Sequence, residues 1–134
     1  MAAPERADGD QQPAPGRRLT ILLVENEVLV RFLAADQLRD VGHEVVEASD
    51  GQEALSLLEA GLDFDLVVTD IRMPGRVNGL QLFDRIRSRW THIPVLLATS
   101  HGPQHGPRGV DYLAKPYGES QLLAAVQRAA RPRD

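Results

Sequence analysis

Three short apolar runs in this chain end abruptly in polar residues, and this pattern constrains the fold more than any other feature. Leu19-Thr20-Ile21-Leu22-Leu23-Val24 runs into Glu25-Asn26-Glu27, Leu66-Val67-Val68-Thr69 into Asp70, and Val95-Leu96-Leu97-Ala98 into Thr99-Ser100. Runs that are apolar throughout, rather than alternating, mark strands buried on both faces, the habit of parallel sheets covered by helices. Pro74-Gly75 breaks the chain soon after Asp70, so this acid sits where a buried strand gives way to a loop. A carboxylate there costs several kcal/mol unless a cation, hydrogen-bond donors or a chemical task offsets it. A helix-capping or turn aspartate is the plainer alternative.

Helical patterns separate the runs. Residues 28–41 place Val30, Leu33, Ala34 and Val41 at near-helical spacing before Gly42, and 44–48 reads as a short strand. Asp50 is an N-cap for a helix through Ala60 that turns Ala54, Leu57 and Leu58 inward and stops at Gly61. Asn78 caps another helix, to about Trp90, with Leu80, Leu82, Phe83 and Ile86 as its apolar face. A brief strand over 110–113 ends at Lys115-Pro116, and 119–131 forms a final amphipathic helix. Residues 101–109 hold Gly and Pro too densely for a stable helix. Strand–helix alternation of this kind predicts an α/β fold: a doubly wound, five-stranded parallel sheet in the flavodoxin-like order 2-1-3-4-5, with the fourth helix shortened or irregular. That order puts Glu25-Asn26, Asp70, Thr99 and Lys115 along one rim, outside the carboxyl ends of the strands.

The domain spans 19–131, behind a tail over 1–18 whose Ala, Pro, Gly, Gln and charge predict disorder. Acids and bases are interspersed, with a net charge of −4, which leaves no footprint for nucleic acid or an anionic membrane. There is no cysteine, no apolar run of spanning length and no apolar core of a signal peptide, so the expected setting is the cytoplasm, without membrane insertion. All but one of the 15 basic residues are Arg, and the exception is Lys115. One retained Lys suggests a place that needs a compact ammonium rather than a planar fork.

Two carboxylates and an amide oxygen, from Glu25, Asp70 and Asn26, make a hard, oxygen-rich pocket that suits Mg²⁺ with several waters retained. Thr99 offers a hydroxyl and Lys115 a point charge to phosphoryl oxygens, leaving Asp70 as the well-placed nucleophile for an acyl phosphate. The alternatives without chemistry are a Lys115–Asp70 salt bridge and Thr99 as an N-cap.

On these residues the chain resembles the receiver domains of two-component response regulators. The resemblance covers about 19–131 and rests on Val24-Glu25-Asn26-Glu27, Val68-Thr69-Asp70-Ile71-Arg72-Met73-Pro74 with Asn78-Gly79, Ala98-Thr99-Ser100 and Tyr112-Leu113-Ala114-Lys115-Pro116. It implies that Asp70 is the phosphoacceptor, Thr99 the switch hydroxyl, Lys115 the phosphate-contacting amine and Tyr112 the switch aromatic. Glu25, Asn26, Asp70 and the main-chain carbonyl of Arg72 would form the Mg²⁺ site. The loop Met73-Pro74-Gly75-Arg76-Val77-Asn78-Gly79 is one residue longer than the commonest form and looks like the variant of alphaproteobacterial single-domain regulators and hybrid-kinase receivers. The chain departs from the pattern in two places. Asn26 stands where an acid usually binds the metal, and the stretch from Thr99 to Lys115 is short by more than a helical turn.

The function implied is that of a phosphorelay receiver, charged on Asp70 by a sensor histidine kinase or a histidine phosphotransfer protein and shedding its phosphoryl group without being an enzyme in the usual sense. With no DNA-binding or enzymatic domain expected after Arg131, output to an unknown downstream protein is expected through protein contacts. The alternative is a pseudo-receiver that binds its partner without phosphorylation. An aspartyl-phosphate hydrolase would want an acid where Arg72 stands, and flavodoxin-type FMN binding a phosphate loop where Glu25-Asn26-Glu27 repels phosphate. Val28, Leu29 and Phe32 exceed what one core stripe needs and offer, with Pro116, a docking face for a phosphodonor, unless Phe32 is simply buried. His101 and His105 have metal-ligand spacing only on a helix, which the intervening Gly and Pro disfavour.

Overall fold

The computed structural model describes residues 17–100 and 106–130. The elements are β1 (Thr20–Val24), α1 (Val28–Asp40), β2 (Glu44–Ala48), α2 (Gly51–Glu59), β3 (Leu66–Asp70), α3 (Gly79–Arg89), β4 (Val95–Thr99), β5 (Asp111–Ala114) and α4 (Glu119–Ala129). All five strands pair in parallel in the order β2-β1-β3-β4-β5, as the sequence predicts.

Strand alternation divides the core into two layers. Ile21, Leu23, Val45, Leu66, Val68, Leu96 and Leu113 point to one face, where α1 and α4 cover them with Ala34, Ala35, Leu38, Leu122, Ala125 and Val126. Leu22, Val24, Ala48, Val67, Val95 and Leu97 point to the other, beneath α2 and α3 with Ala54, Leu55, Leu58, Leu82, Phe83 and Ile86. β3 and β4 are buried along their whole length, which is why they read as unbroken apolar runs.

The packing face of α1 differs from the predicted one. Leu33 and Val41 are exposed, and the buried residues are Ala34, Ala35 and Leu38. Side chains as small as Ala34 and Ala35 let the helix backbone approach the sheet closely, and Leu33 falls on the outer side. In α2, likewise, Leu55 is buried beside Ala54 and Leu58, with Leu57 half-buried.

Of the predicted tail, residues 1–16 lie outside the described residues. Arg17 and Arg18 donate to the carbonyls of Ala130 at 3.2 Å and Gly42 at 3.0 Å. Of the irregular segment predicted over 101–109, residues 101–105, with His101 and His105, also lie outside. Residues 106–109 contain no helix, and the chain bends through Gly109 at φ +76°. Among the described residues no helix is long and apolar enough to cross a membrane.

Candidate functional site

Parallel register fixes which strand ends meet. Asp70 pairs with Ala98 and Thr99 with Ala114, while the ladder continues past the strands through Ile71 N–H to Ala98 O at 3.0 Å and Lys115 N–H to Thr99 O at 2.9 Å. Glu25 extends β1 in the same way by donating to Ala48 O at 3.0 Å. Glu25, Asp70, Thr99 and Lys115 therefore converge at the carboxyl edge, and the first three are only 3%, 8% and 5% exposed.

Lys115 joins the two acids. Its Nζ lies 2.7 Å from Asp70 Oδ2 and 3.2 Å from Glu25 Oε1. Burial pulls the ammonium pKa down, but the hydrogen bond and charge of Asp70, reinforced by Glu25, outweigh it, so the pKa stands above the ordinary lysine value. Lys115 is thus a fixed positive charge at neutral pH. The remaining carboxylate oxygens take main-chain donors: Glu25 Oε2 accepts from Glu27 N–H at 3.0 Å and Asp70 Oδ1 from Arg72 N–H at 3.3 Å. The Lys115–Pro116 peptide bond is cis.

A cleft of about 820 Å³ opens over this edge, with Asn26, Arg72, Pro74, Asn78 and Thr99 on its walls. Asn26 is exposed in it. Among the described residues no three His, Cys, Asp or Glu side chains converge as a metal cluster. Oxygen donors at this edge include the Glu25 and Asp70 carboxylates, the Asn26 amide and, on the cleft wall, Glu27. This set fits Mg²⁺: the donors are hard oxygens, and each carboxylate oxygen that already accepts one hydrogen bond keeps a second lone pair.

The loop from Asp70 to α3 is held sterically. A Cβ on Gly79 would lie 1.9 Å from Asp70 O, so α3 begins in direct contact with the backbone of the acid, and Gly79 N–H donates to Ile71 O at 2.9 Å. Asn78 caps α3 through Gln81 N–H at 2.9 Å, and the Gln81 side chain returns a bond to Asn78 N–H at 2.9 Å. Met73 and Val77 bury themselves in the core under the loop.

The remaining candidates lie around this centre. Tyr112 is half-buried; its hydroxyl donates to the Pro107 carbonyl and rests against Gly106, which has no room for a side chain. Val28, Leu29 and Phe32 are 63%, 81% and 64% exposed on the outside of α1, and Pro116 is exposed in the loop before α4. Two residues near the acids escaped the sequence reading. Arg31 donates from Nη1 to Glu25 O at 2.8 Å. Tyr117 packs on the α1–α4 side of the core, where burial and then the Glu25 charge raise its phenol pKa. No local motif marks Arg31; for Tyr117 the available signal was an aromatic two residues after Lys115.

Comparison with known proteins gives the family and the fold. The sequence model described as "Response regulator receiver domain" matches residues 21–127. The response regulator protein FleR of Pseudomonas aeruginosa is 39% identical over 118 residues, which are 82% of this chain and 24% of FleR. The chemotaxis protein CheY-3 of Vibrio cholerae is 36% identical over 121 residues, 84% of this chain and 92% of CheY-3. A response regulator receiver protein from Sinorhizobium medicae superimposes with a TM-score of 0.77 at 29% identity, covering 85% of this chain and 95% of that one. The chain spans from 24% to 60% of the length of the first curated relatives it matches. It belongs to the response regulator receiver domains of two-component systems, which are typically signalling modules rather than enzymes.

Proposed function

We propose that the domain accepts a phosphoryl group on Asp70 from a phosphohistidine of a sensor histidine kinase or phosphotransfer protein. The observation that carries this reading is the Asp70 carboxylate, nearly buried at the carboxyl end of the central strand, held 2.7 Å from the Lys115 ammonium beside Glu25. An oxygen of Asp70 attacks phosphorus, the phosphorus–nitrogen bond of the donor histidine breaks, and the freed imidazole takes up a proton. Lys115 changes partner in the process: its ammonium, paired with a carboxylate before transfer, meets phosphoryl oxygens afterwards. Thr99, at the end of β4, supplies a hydroxyl on the β5 side, and Tyr112 carries the change to the Gly106-Pro107 segment it touches. Glu25, Asp70, Asn26 and the Arg72 carbonyl are the residues to hold Mg²⁺, which when bound neutralises charge on the transferring phosphoryl group. The exposed Val28, Leu29 and Phe32 offer the donor protein an apolar face next to the acids.

Intact-mass measurement after incubation with acetyl phosphate and Mg²⁺ tests this. Wild type gains one phosphoryl group and Asp70→Asn gains none; a wild type that gains none beside an active receiver would leave a partner-binding module without phosphorylation. Asn26→Asp is expected to tighten Mg²⁺, because it puts a charge where the chain has a dipole. Equal affinity of the two proteins, by NMR titration, would remove Asn26 from the site.

A further inference from the structure

The turn that presents Glu25 has one local bond, from Glu27 N–H to Glu25 Oε2 at 3.0 Å. Glu27, the N-cap residue of α1, makes no side-chain capping bond. The main-chain carbonyl of the turn is held by a contact from farther along the chain. Glu25 O accepts from Arg31 Nη1 at 2.8 Å, and the same guanidinium donates from Nε to Glu47 Oε1 on β2 at 3.2 Å. The other oxygen of Glu47 accepts from Arg39 at 3.1 Å, but Arg39 sends its second nitrogen to Val45 O at 2.8 Å, away from the acids. Arg31 is also the more enclosed, with its side chain 18% exposed against 46% for Arg39.

We propose that Arg31 is a positioning residue for the acidic pocket: by spanning Glu47 and the Glu25 carbonyl, it fixes the turn that aims the Glu25 carboxylate at Lys115, and so sets how well Glu25 and Asp70 hold a divalent cation. This rests on the reading of those two acids as metal ligands. The physical case is one of shape. A guanidinium is a rigid planar fork whose Nε and Nη1 reach two acceptors at a fixed separation, whereas an ammonium on a flexible stem does not reproduce that span. Glu25 is nearly buried, so removing the donor leaves its carbonyl poorly satisfied and lets the turn move. A carboxylate on a mobile turn loses more freedom when it binds an ion, and partners of this outer kind typically change metal affinity by tenfold or more.

The test compares Arg31→Met, Arg31→Lys and Arg39→Gln in the full chain, with two readouts. The first is metal-free: the NMR shift and hydrogen exchange of the Glu27 amide, which donates to Glu25 Oε2 and so reports where that carboxylate sits. Arg31→Met should move this amide toward its unbonded shift and speed its exchange. The second is Mg²⁺ affinity by NMR titration, expected to fall about tenfold in Arg31→Met. Arg31→Lys should restore neither. Arg39→Gln should change neither, although it too removes a guanidinium from Glu47. If Arg31→Met does not fold, Glu47→Gln loosens the same link and should shift both readouts in the same direction. An unchanged Glu27 amide and unchanged Mg²⁺ affinity in the folded variant overturn the proposal, as does an equal response of Arg39→Gln. A wild type that binds Mg²⁺ but takes no phosphoryl group refutes the role proposed for Asp70 and leaves Arg31 standing. If wild type binds no Mg²⁺, the metal role of Arg31 fails with it.

Discussion

The loop that follows Asp70 and the turn that follows β1 frame the same pocket but are held by different forces. The first is locked by contact and local capping: Gly79 abuts Asp70 O, Asn78 and Gln81 close a reciprocal cap, and Met73 and Val77 anchor the loop in the core. The second has no side-chain cap, leads into a helix whose outer face is apolar and exposed, and is tied down through Arg31. The contrast suggests a division of labour in which Asp70, the proposed nucleophile, stands on the rigid side and Glu25, proposed to help hold the ion, stands on the adjustable one.

Gly79→Ala carries the largest expected effect. Its Cβ would meet Asp70 O at 1.9 Å and Ile71 Cα at 2.6 Å, both backbone atoms with no rotamer to yield. Overpacking of this kind should cost about 3 kcal/mol, read as a lowered urea midpoint, together with weaker Mg²⁺ binding. Wild-type stability would show that α3 slides freely past Asp70, and the rigid side of the comparison would fail. Next come the two caps. Asn78→Ala should cost about 1 kcal/mol, since it removes the acceptor for Gln81 N–H. Glu27→Ala should cost less than Asn78→Ala, because the Glu27 side chain makes no capping bond. Equal losses in the pair would mean that the two helix starts are not held differently after all.

The same difference governs what could be read from the sequence. Strands were legible because β1, β3 and β4 are buried on both faces and must be apolar throughout; their ends, and hence the rim with Glu25, Asp70 and Thr99, followed from where that run stops. The caps at Asp50 and Asn78 were legible because a capping bond spans only three residues. The packing face of α1 was not. Val28, Leu29, Val30, Phe32 and Leu33 run nearly round the helix, so periodicity selects no single face, and the choice fell to the close approach allowed by Ala34 and Ala35. Arg31 was illegible for a related reason: Glu47 lies 16 residues away on β2, and only the packing of α1 beside that strand brings the two together.

The far end of α1 is held by a group that titrates. His43 is buried, its Nδ1 accepts from Leu19 N–H at 3.1 Å, and its main-chain N–H donates to Leu38 O at 3.2 Å, so it fastens the helix end to the start of β1. Burial lowers its pKa below the usual histidine value. The folded protein therefore favours neutral imidazole, while the unfolded chain takes up the proton first as pH falls. Stability from this group is fully present above about pH 6.5, the ordinary histidine pKa, and declines as pH drops below it. His43→Asn keeps an acceptor oxygen near Nδ1 but does not titrate, so its urea midpoint should fall less between neutral and mildly acidic pH than that of wild type. Parallel curves would show that the end of α1 is no more pH-sensitive than the rest of the fold.

Phe32→Ser should change stability least of all and still separate the two sides of the site. Phe32 is 64% exposed, and a substitution at a surface position with no buried partner typically moves stability by no more than about 0.5 kcal/mol. Its proposed role is played only when a donor protein arrives. Acetyl phosphate is too small to touch the outside of α1, so phosphorylation by it should proceed in Phe32→Ser as in wild type. Transfer from a phosphorylated histidine phosphotransfer protein should slow, because the apolar area that Phe32 shares with Val28 and Leu29 is then reduced at the contact. Loss of both activities would place Phe32 in support of Glu25 rather than in docking, through the same helix that carries Arg31. Loss of neither would leave the exposed face of α1 without a part in phosphotransfer and would move the search for the donor surface to Pro116 and the loop before α4.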